Sequence, residues 1–293
     1  MQKTYIENGL LYFHNLKDKK LQIATTYDNK VWGNMNPAFS KNEEEREGVR
    51  EKDRKLADIL GFKTSFSFKT PNEDSMIDFD ERSVKYIGSL YPADEKGYKD
   101  ILLATNSMLV YPQEERYGYI VAPRDCSVVV IAPKDFHFAL IMHLGAPQLL
   151  TGLHRKSMKM LMENKDSFGE LDMYITPYIG KGNYSVSLEK GERYASLYGE
   201  GFEKYVETKF SDIWQEERCY VDFVGAFKDE VRNVYGIKNV IDSDIDNYDE
   251  TKNGHLYSYK YARELQMRKE KGEDISDDEI DEYNKGFNVV VSL

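Results

Sequence analysis

Cys126 stands at the edge of the apolar run Ser127-Val128-Val129-Val130-Ile131, and His143 closes a second apolar run, Phe138-Ala139-Leu140-Ile141-Met142-His143. The intervening Ala132-Pro133-Lys134-Asp135 has turn composition. Two strands joined there bring a thiol and an imidazole together. That pairing suits a cysteine nucleophile with its base, or two ligands of a zinc ion. Asp125, next to the thiol, is placed to orient a ligand or to cap a turn.

The elements that must position these groups follow from periodicity. Glu43 to Leu60 has the spacing of a charged amphipathic helix, with Val49, Leu56, Ile59 and Leu60 on one face and Gly61 as its stop. Strands are expected within residues 10–27, at 83–87, 101–104, 127–131, 137–143, 172–176 and 219–222, and from Phe287 to Ser292. Helices are expected near 148–164 and 223–235. The glycine turn Ile179-Gly180-Lys181-Gly182-Asn183-Tyr184 offers backbone N–H groups to a ligand, with Lys181 and Asn183 beside them. Strands and helices mix without strict alternation, which gives an α+β (mixed α/β) class with a mixed central sheet flanked by helices.

Composition narrows the function classes. In 293 residues, 41% hydrophobic and 13% aromatic content supplies a core. No linker divides the chain, so residues 1–293 read as one domain. A net charge of −11 argues against nucleic acid or an anionic membrane as partner, and leaves a small-molecule substrate or a protein partner. Without an export signal or a membrane span, the expected location is the cytoplasm, with Cys126 and Cys219 as free thiols. Oligomeric state has no signal in the sequence. The acidic stretch 242–250 begins like a calcium loop but has Asn247 where that loop needs Gly. It reads as a solvated loop, and 273–282 is a second acidic stretch; both are candidate partner surfaces. Cys219 reads as core. His14, His154 and His255 read as surface or interface residues, and Arg54 as one half of a surface ion pair.

Taken in order, these segments resemble the laccase-domain (YfiH-like) family, once called polyphenol oxidases and similar in architecture to cysteine deamidase toxins. Arg124-Asp125-Cys126 and His143-Leu144-Gly145 stand where that family has Ala-Asp-Cys and His-Ala-Gly-Trp-Arg-Gly. Pro177-Tyr178-Ile179-Gly180 and Leu256-Tyr257-Ser258-Tyr259-Lys260 echo two later motifs. Asp53 to Gly61 echoes an earlier helix, and Gly286 to Val291 the final strand.

The resemblance implies a zinc-dependent enzyme that cleaves purine nucleosides with phosphate or deaminates them. The metal would be held by one Cys and two His. Cys126 and His143 take two of those places, while Gly88 stands at the third, and His137 is a substitute by strand parity with His143. Ser258, Tyr259 and Lys260 would line the site. Ala146-Pro147-Gln148 replaces Trp-Arg-Gly and removes an arginine suited to phosphate. With a ligand missing, two alternatives stay open: a metal-free Cys-His hydrolase or deamidase, and a scaffold that has lost catalysis and serves as a binding or regulatory protein.

Overall fold

The computed structural model describes residues 3–17, 19–35, 42–68, 76–79, 93–95, 97–163, 169–283 and 285–293. The chain begins with strands β1 (Thr4–Glu7), β2 (Leu10–Phe13) and β3 (Gln22–Thr26), the short helix α1 (Asn29–Trp32) and the long helix α2 (Glu43–Leu60). Strands β4 (Thr64–Phe68), β5 (Met76–Phe79), β6 (Lys99–Leu103), β7 (Ser107–Val110) and β8 (Tyr117–Val121) follow. Then come β9 (Ser127–Pro133), β10 (Ala139–Leu144), helices α3 (Ala146–Leu150) and α4 (Leu153–Glu163), β11 (Leu171–Ile175), β12 (Ser185–Val186) and helix α5 (Leu188–Tyr198). The last third holds β13 (Val206–Ser211), β14 (Glu216–Val221), α6 (Phe223–Val234), β15 (Asn239–Asp242), α7 (Asn247–Lys252), α8 (Tyr259–Glu270), α9 (Asp277–Tyr283) and β16 (Val289–Ser292).

The mixed α and β class is borne out, with the strands divided among three sheets. Among the described residues, one sheet runs β1-β2-β3-β16-β8-β4-β6, a second β15-β11-β9-β10-β7-β5, and a small third β12-β14-β13. The two large sheets share a core. Phe66, Tyr119, Val289 and Val291 of the first pack with Val128, Val130, Ile141 and Tyr174 of the second. The outer face of the first sheet is covered by Leu56, Ala57 and Leu60 of α2. The outer face of the second is covered by Met158 and Leu161 of α4 and by Phe227 and Val231 of α6. Buried on both faces, β9 is apolar at nearly every position, which is why its sequence is a continuous run rather than an alternation.

Local chemistry sets several boundaries. Asn42 caps α2 by accepting from the Glu45 amide, and Glu43, Glu44 and Glu45 lie at the positive end of its dipole. Gly61 ends it in the left-handed region at φ 76°. The single helix expected near 148–164 is two, because Gly152 turns the chain at φ 79° between α3 and α4. The acidic stretch 242–250 is not a solvated loop. Asp242 is buried in β15, where it accepts from Tyr178 Oη and Lys228 Nζ, and Asp246 caps α7. His154 is buried too, against Glu230, Tyr198 and Phe227. The expected strand at 83–87 lies outside the described residues. Among those residues, no helix is long and apolar enough to cross a membrane.

Gly118 of β8 lies flat under the Phe62 ring, and a Cβ there would sit 2.4 Å from Phe62 Cζ. The ring is itself buried against α2. Gly118→Ala is expected to lower the unfolding free energy by about 1–3 kcal/mol through overpacking. Gly182→Ala, with open space around its Cβ, is expected to change it by less than about 0.5 kcal/mol. Urea titration of both variants checks the contrast.

Candidate functional site

The β9–β10 pairing brings the two chemical residues to one end of the second sheet. His143 pairs with Val128 and Leu144 with Ser127, so Gly145 comes next to Cys126. The contact is close: a Cβ on Gly145 would lie 2.4 Å from Cys126 Sγ, so the thiol occupies space that any other residue would fill. The Gly145 amide donates to Gln148 Oε1 at 3.2 Å, which holds the turn into α3. By this register Cys126 and His143 are diagonal neighbours on adjacent strands, a relation that places Cα atoms about 7–8 Å apart.

Cys126 opens onto a cavity of about 380 Å³. Its walls are aromatic, from Tyr178, Tyr184, Tyr194, Phe223 and Tyr259. Arg124 and Lys190 also line it, and so does Ser127. Each cation lies over a wall ring, Arg124 at 4.5 Å from the Tyr259 centroid and Lys190 at 5.5 Å from that of Tyr194. Ser127 is 1% exposed and its Oγ has no hydrogen-bond partner. Burial pushes the Cys126 thiol up to about 12, the neighbouring Asp125 charge adding to that and Arg124 opposing it.

His143 is buried and is not among the cavity-lining residues. Its amide donates to Asn106 O at 2.8 Å. Side-chain alternation puts it on the same face as Ala139 and Ile141, toward the core between the large sheets. Neither ring nitrogen has a hydrogen-bond partner, and burial alone pushes its pKa down to about 4. A buried imidazole with two bare nitrogens is a donor type that a soft or borderline metal ion takes. Two donors do not make a full set. Among the described residues, no group of three or more His, Cys, Asp or Glu is arranged to hold a metal. Position 88, where the third ligand is expected, lies outside the described residues.

His137 is not brought to this place. It precedes β10 at the opposite end of the strand from His143, is largely exposed, and pairs with Asp135 at 2.6 Å. The parity argument failed because residue 137 belongs to the turn and not to the strand.

Asp125, Ser258 and Lys260 do meet, but as a clamp. Asp125 accepts from Ser258 Oγ at 2.6 Å, from the Lys260 amide at 2.8 Å and from Asn247 Nδ2 at 3.3 Å. Ser258 in turn caps α8 by accepting from the Tyr261 amide. Burial raises the Asp125 carboxyl, against the lowering effect of these bonds. Lys260 points away from the cavity lining. Its ammonium donates to Ser185 O at 3.1 Å and lies over Trp214, and burial pushes its pKa down to about 8.

In the glycine turn, Asn183 donates to Asp246 at 2.8 Å, while Lys181 pairs with Glu207 at 3.7 Å. Both brace or solvate the turn and neither lines the cavity. Tyr259 does line it. Cys219 is core as expected, packed where a Cβ on Gly191 would be. Arg54 pairs with Glu47 and Asp94.

Sequence reasoning missed Ser127, Tyr184, Lys190, Tyr194 and Phe223. A helix start is legible at Ser187, whose side chain accepts from the Lys190 amide. Nothing in the chain tells that this helix borders Cys126.

The sequence matches, over residues 24–271, the family described as "Multi-copper polyphenol oxidoreductase laccase". No curated protein sequence matches it. Its fold is similar to that of the hypothetical protein YfiH of Bacillus licheniformis, with TM-score 0.70, 12% identity and 100% of each chain covered. YlmD of Geobacillus stearothermophilus matches at TM-score 0.67 and 12% identity, over 99% of this chain and 98% of that one. A Neisseria meningitidis protein of the DUF152 family matches at 0.66 and 12%, over 97% and 99%.

The bare imidazole has a consequence for stability. Unfolded, His143 titrates near 6.5; folded, near 4. Between those values the unfolded chain binds more protons, so stability falls as pH drops through that window and levels off below it. The contribution is about 3 kcal/mol. In chelator, His143→Leu is expected to lose that part of the decline between pH 7 and pH 4. The difference between the two proteins' urea midpoints across the pH series measures it. Parallel pH dependences would show that the imidazole is partnered in solution.

Proposed function

The chain belongs to the multi-copper polyphenol oxidoreductase laccase family, and from that premise we propose that it is a zinc-dependent enzyme of purine nucleosides. The reaction is phosphorolysis or deamination in the cavity beside Cys126. The observation that carries this reading is His143: an imidazole buried with both ring nitrogens bare, on the strand paired to the one that follows Cys126. Cys126 Sγ and one His143 nitrogen would hold the metal. When bound, zinc would supply Lewis acidity.

The chain's own residues supply the rest. Tyr184, Tyr194 and Tyr259 offer aromatic faces for a purine, which stacks on such rings. Asp125 has its carboxylate engaged by Ser258, Lys260 and Asn247, so it fixes the backbone on which Cys126 stands and is not a proton carrier to substrate.

The metal-free Cys-His hydrolase has less support. A thiol near 12 and an imidazole near 4 are both neutral at pH 7, and moving the proton from one to the other is uphill by the difference. A divalent cation reverses this, since it favours the thiolate and binds the neutral imidazole.

The test is zinc content together with turnover of adenosine and inosine, with and without phosphate, followed by chromatography of the released base or deaminated nucleoside. Zinc-dependent product is expected, with kcat/KM at least about 100-fold lower in Cys126→Ala, as loss of a ligand should exceed loss of a ligand's partner. A folded protein carrying zinc that turns over neither nucleoside would leave the binding-protein reading in its place.

A further inference from the structure

The small third sheet ends in an open edge. Strand β13 lies outermost in the order β12-β14-β13. From Glu207 to Phe210 it is exposed at every position, with Phe210 at 57%. Backbone parity tells which groups face outward. The Asp222 amide donates to Tyr205 O at 2.8 Å, just past the opposed pair Val206 and Val221. The Val221 amide donates the other way, to Tyr184 O at 3.0 Å. Alternation along an antiparallel ladder then turns the backbone groups of Glu207 and Lys209 toward β14, and those of Val206, Thr208 and Phe210 toward the open edge. Glu203 O takes the Val206 N–H. The Val206 C=O and both backbone groups of Thr208 and Phe210 remain, and among the described residues none bonds to them.

Such an edge is a template for another strand, and the side chains of β13 complement their own reversed order. In an antiparallel pairing centred on Thr208, Glu207 lies opposite the partner's Lys209, and Lys209 opposite the partner's Glu207. Those are non-hydrogen-bonded positions, where opposed side chains come closest. On the other face, Val206 meets the partner's Phe210. Moving the centre by one residue keeps the backbone parity but sets Glu207 against Glu207, or Lys209 against Lys209. Like charges directly opposite are destabilising, so one register is selected. In the single chain Glu207 pairs with Lys181 at 3.7 Å, and Lys209 lies 4.2 Å from the Tyr220 ring centroid. These exposed contacts are weak and can be exchanged.

The geometry points to a homodimer in which β13 pairs with β13 of a second copy across a two-fold axis at Thr208. The Thr208 N–H donates to the C=O of the partner's Thr208, and the Phe210 N–H to the C=O of the partner's Val206, each in both directions. The two three-stranded sheets become one continuous sheet. A two-fold axis makes the interface isologous and closed, so assembly stops at the dimer. The inference is independent of the chemistry proposed beside Cys126.

Sedimentation velocity of the full chain tests it, from about 1 μM to about 500 μM in about 0.15 M salt. A dimer is expected with a Kd of about 10–100 μM, as suits an interface below about 1,200 Å². Glu207→Lys and Lys209→Glu each set like charges opposite one another at both cross-pairs. Each is expected to weaken the dimer about tenfold or more. Mixed in equal amounts, the two variants restore every opposite-charge pair, and the mixture should dimerise as the parent does. Thr208→Pro removes an N–H that β14 does not use, and should abolish the dimer while the monomer stays folded. A parent that stays monomeric across the range overturns the inference and leaves the edge to an extended segment of a different protein. A dimer unchanged in both single charge variants overturns it too, as does a mixture no better associated than either variant alone.

Discussion

The site depends on the carboxylate of Asp125. One oxygen takes the Ser258 hydroxyl and the Asn247 amide, and the other takes the Lys260 N–H. The same residue's carbonyl accepts from the Ile179 amide. Three segments are thereby tied to the residue before the thiol at the entry to β9: the glycine turn, the start of α7 and the start of α8. Hydrogen bonds to a carboxylate are stronger than neutral ones, and they gain further where water is scarce. Burial raises the acid's pKa while the donors lower it. The clamp is strongest with the carboxyl ionised, and the donors are what make the buried charge tolerable. Loosening it would release Arg124, Cys126 and Tyr259 together.

Around this anchor the electrostatics divide the site in two. On the inner side, burial holds the thiol and the imidazole neutral. On the outer side, Arg124 and Lys190 line the wall. The surplus of acidic residues lies elsewhere, much of it on α2 and on the segment leading into α9, where it is solvated or ion-paired.

Much of the fold was legible because periodicity and caps are local. Helix α2 runs from Glu43 to Leu60, as its apolar spacing and Gly61 required. Strands β9 and β10 follow the two apolar runs closely, and the final strand is β16. What misled was also local. Gly152 looked like an ordinary helix residue and broke the helix. His137 looked like strand by alternation and is turn. The acidic stretch 242–250 looked solvated by charge alone, yet Asp242 and Asp246 are claimed by Tyr178, Lys228 and Asn183, which lie in other segments.

The sequence by itself determined the family, the class of fold, and the adjacency of the two strands that carry or follow Cys126 and His143. These rest on residue types at short spacings and on an ordered set of motifs. Only the tertiary structure decided which residues face the cavity. Lys190, Tyr194 and Phe223 come to Cys126 from helices 64 to 97 residues further along the chain. Asp125 likewise meets Ser258 and Lys260 only through hydrogen bonds across more than 130 residues of chain. Side-chain roles of this kind are set by contacts between distant segments. Those contacts carry no period and no motif, because burial and hydrogen bonding act on proximity in space, and the order of residues along the chain does not encode it directly.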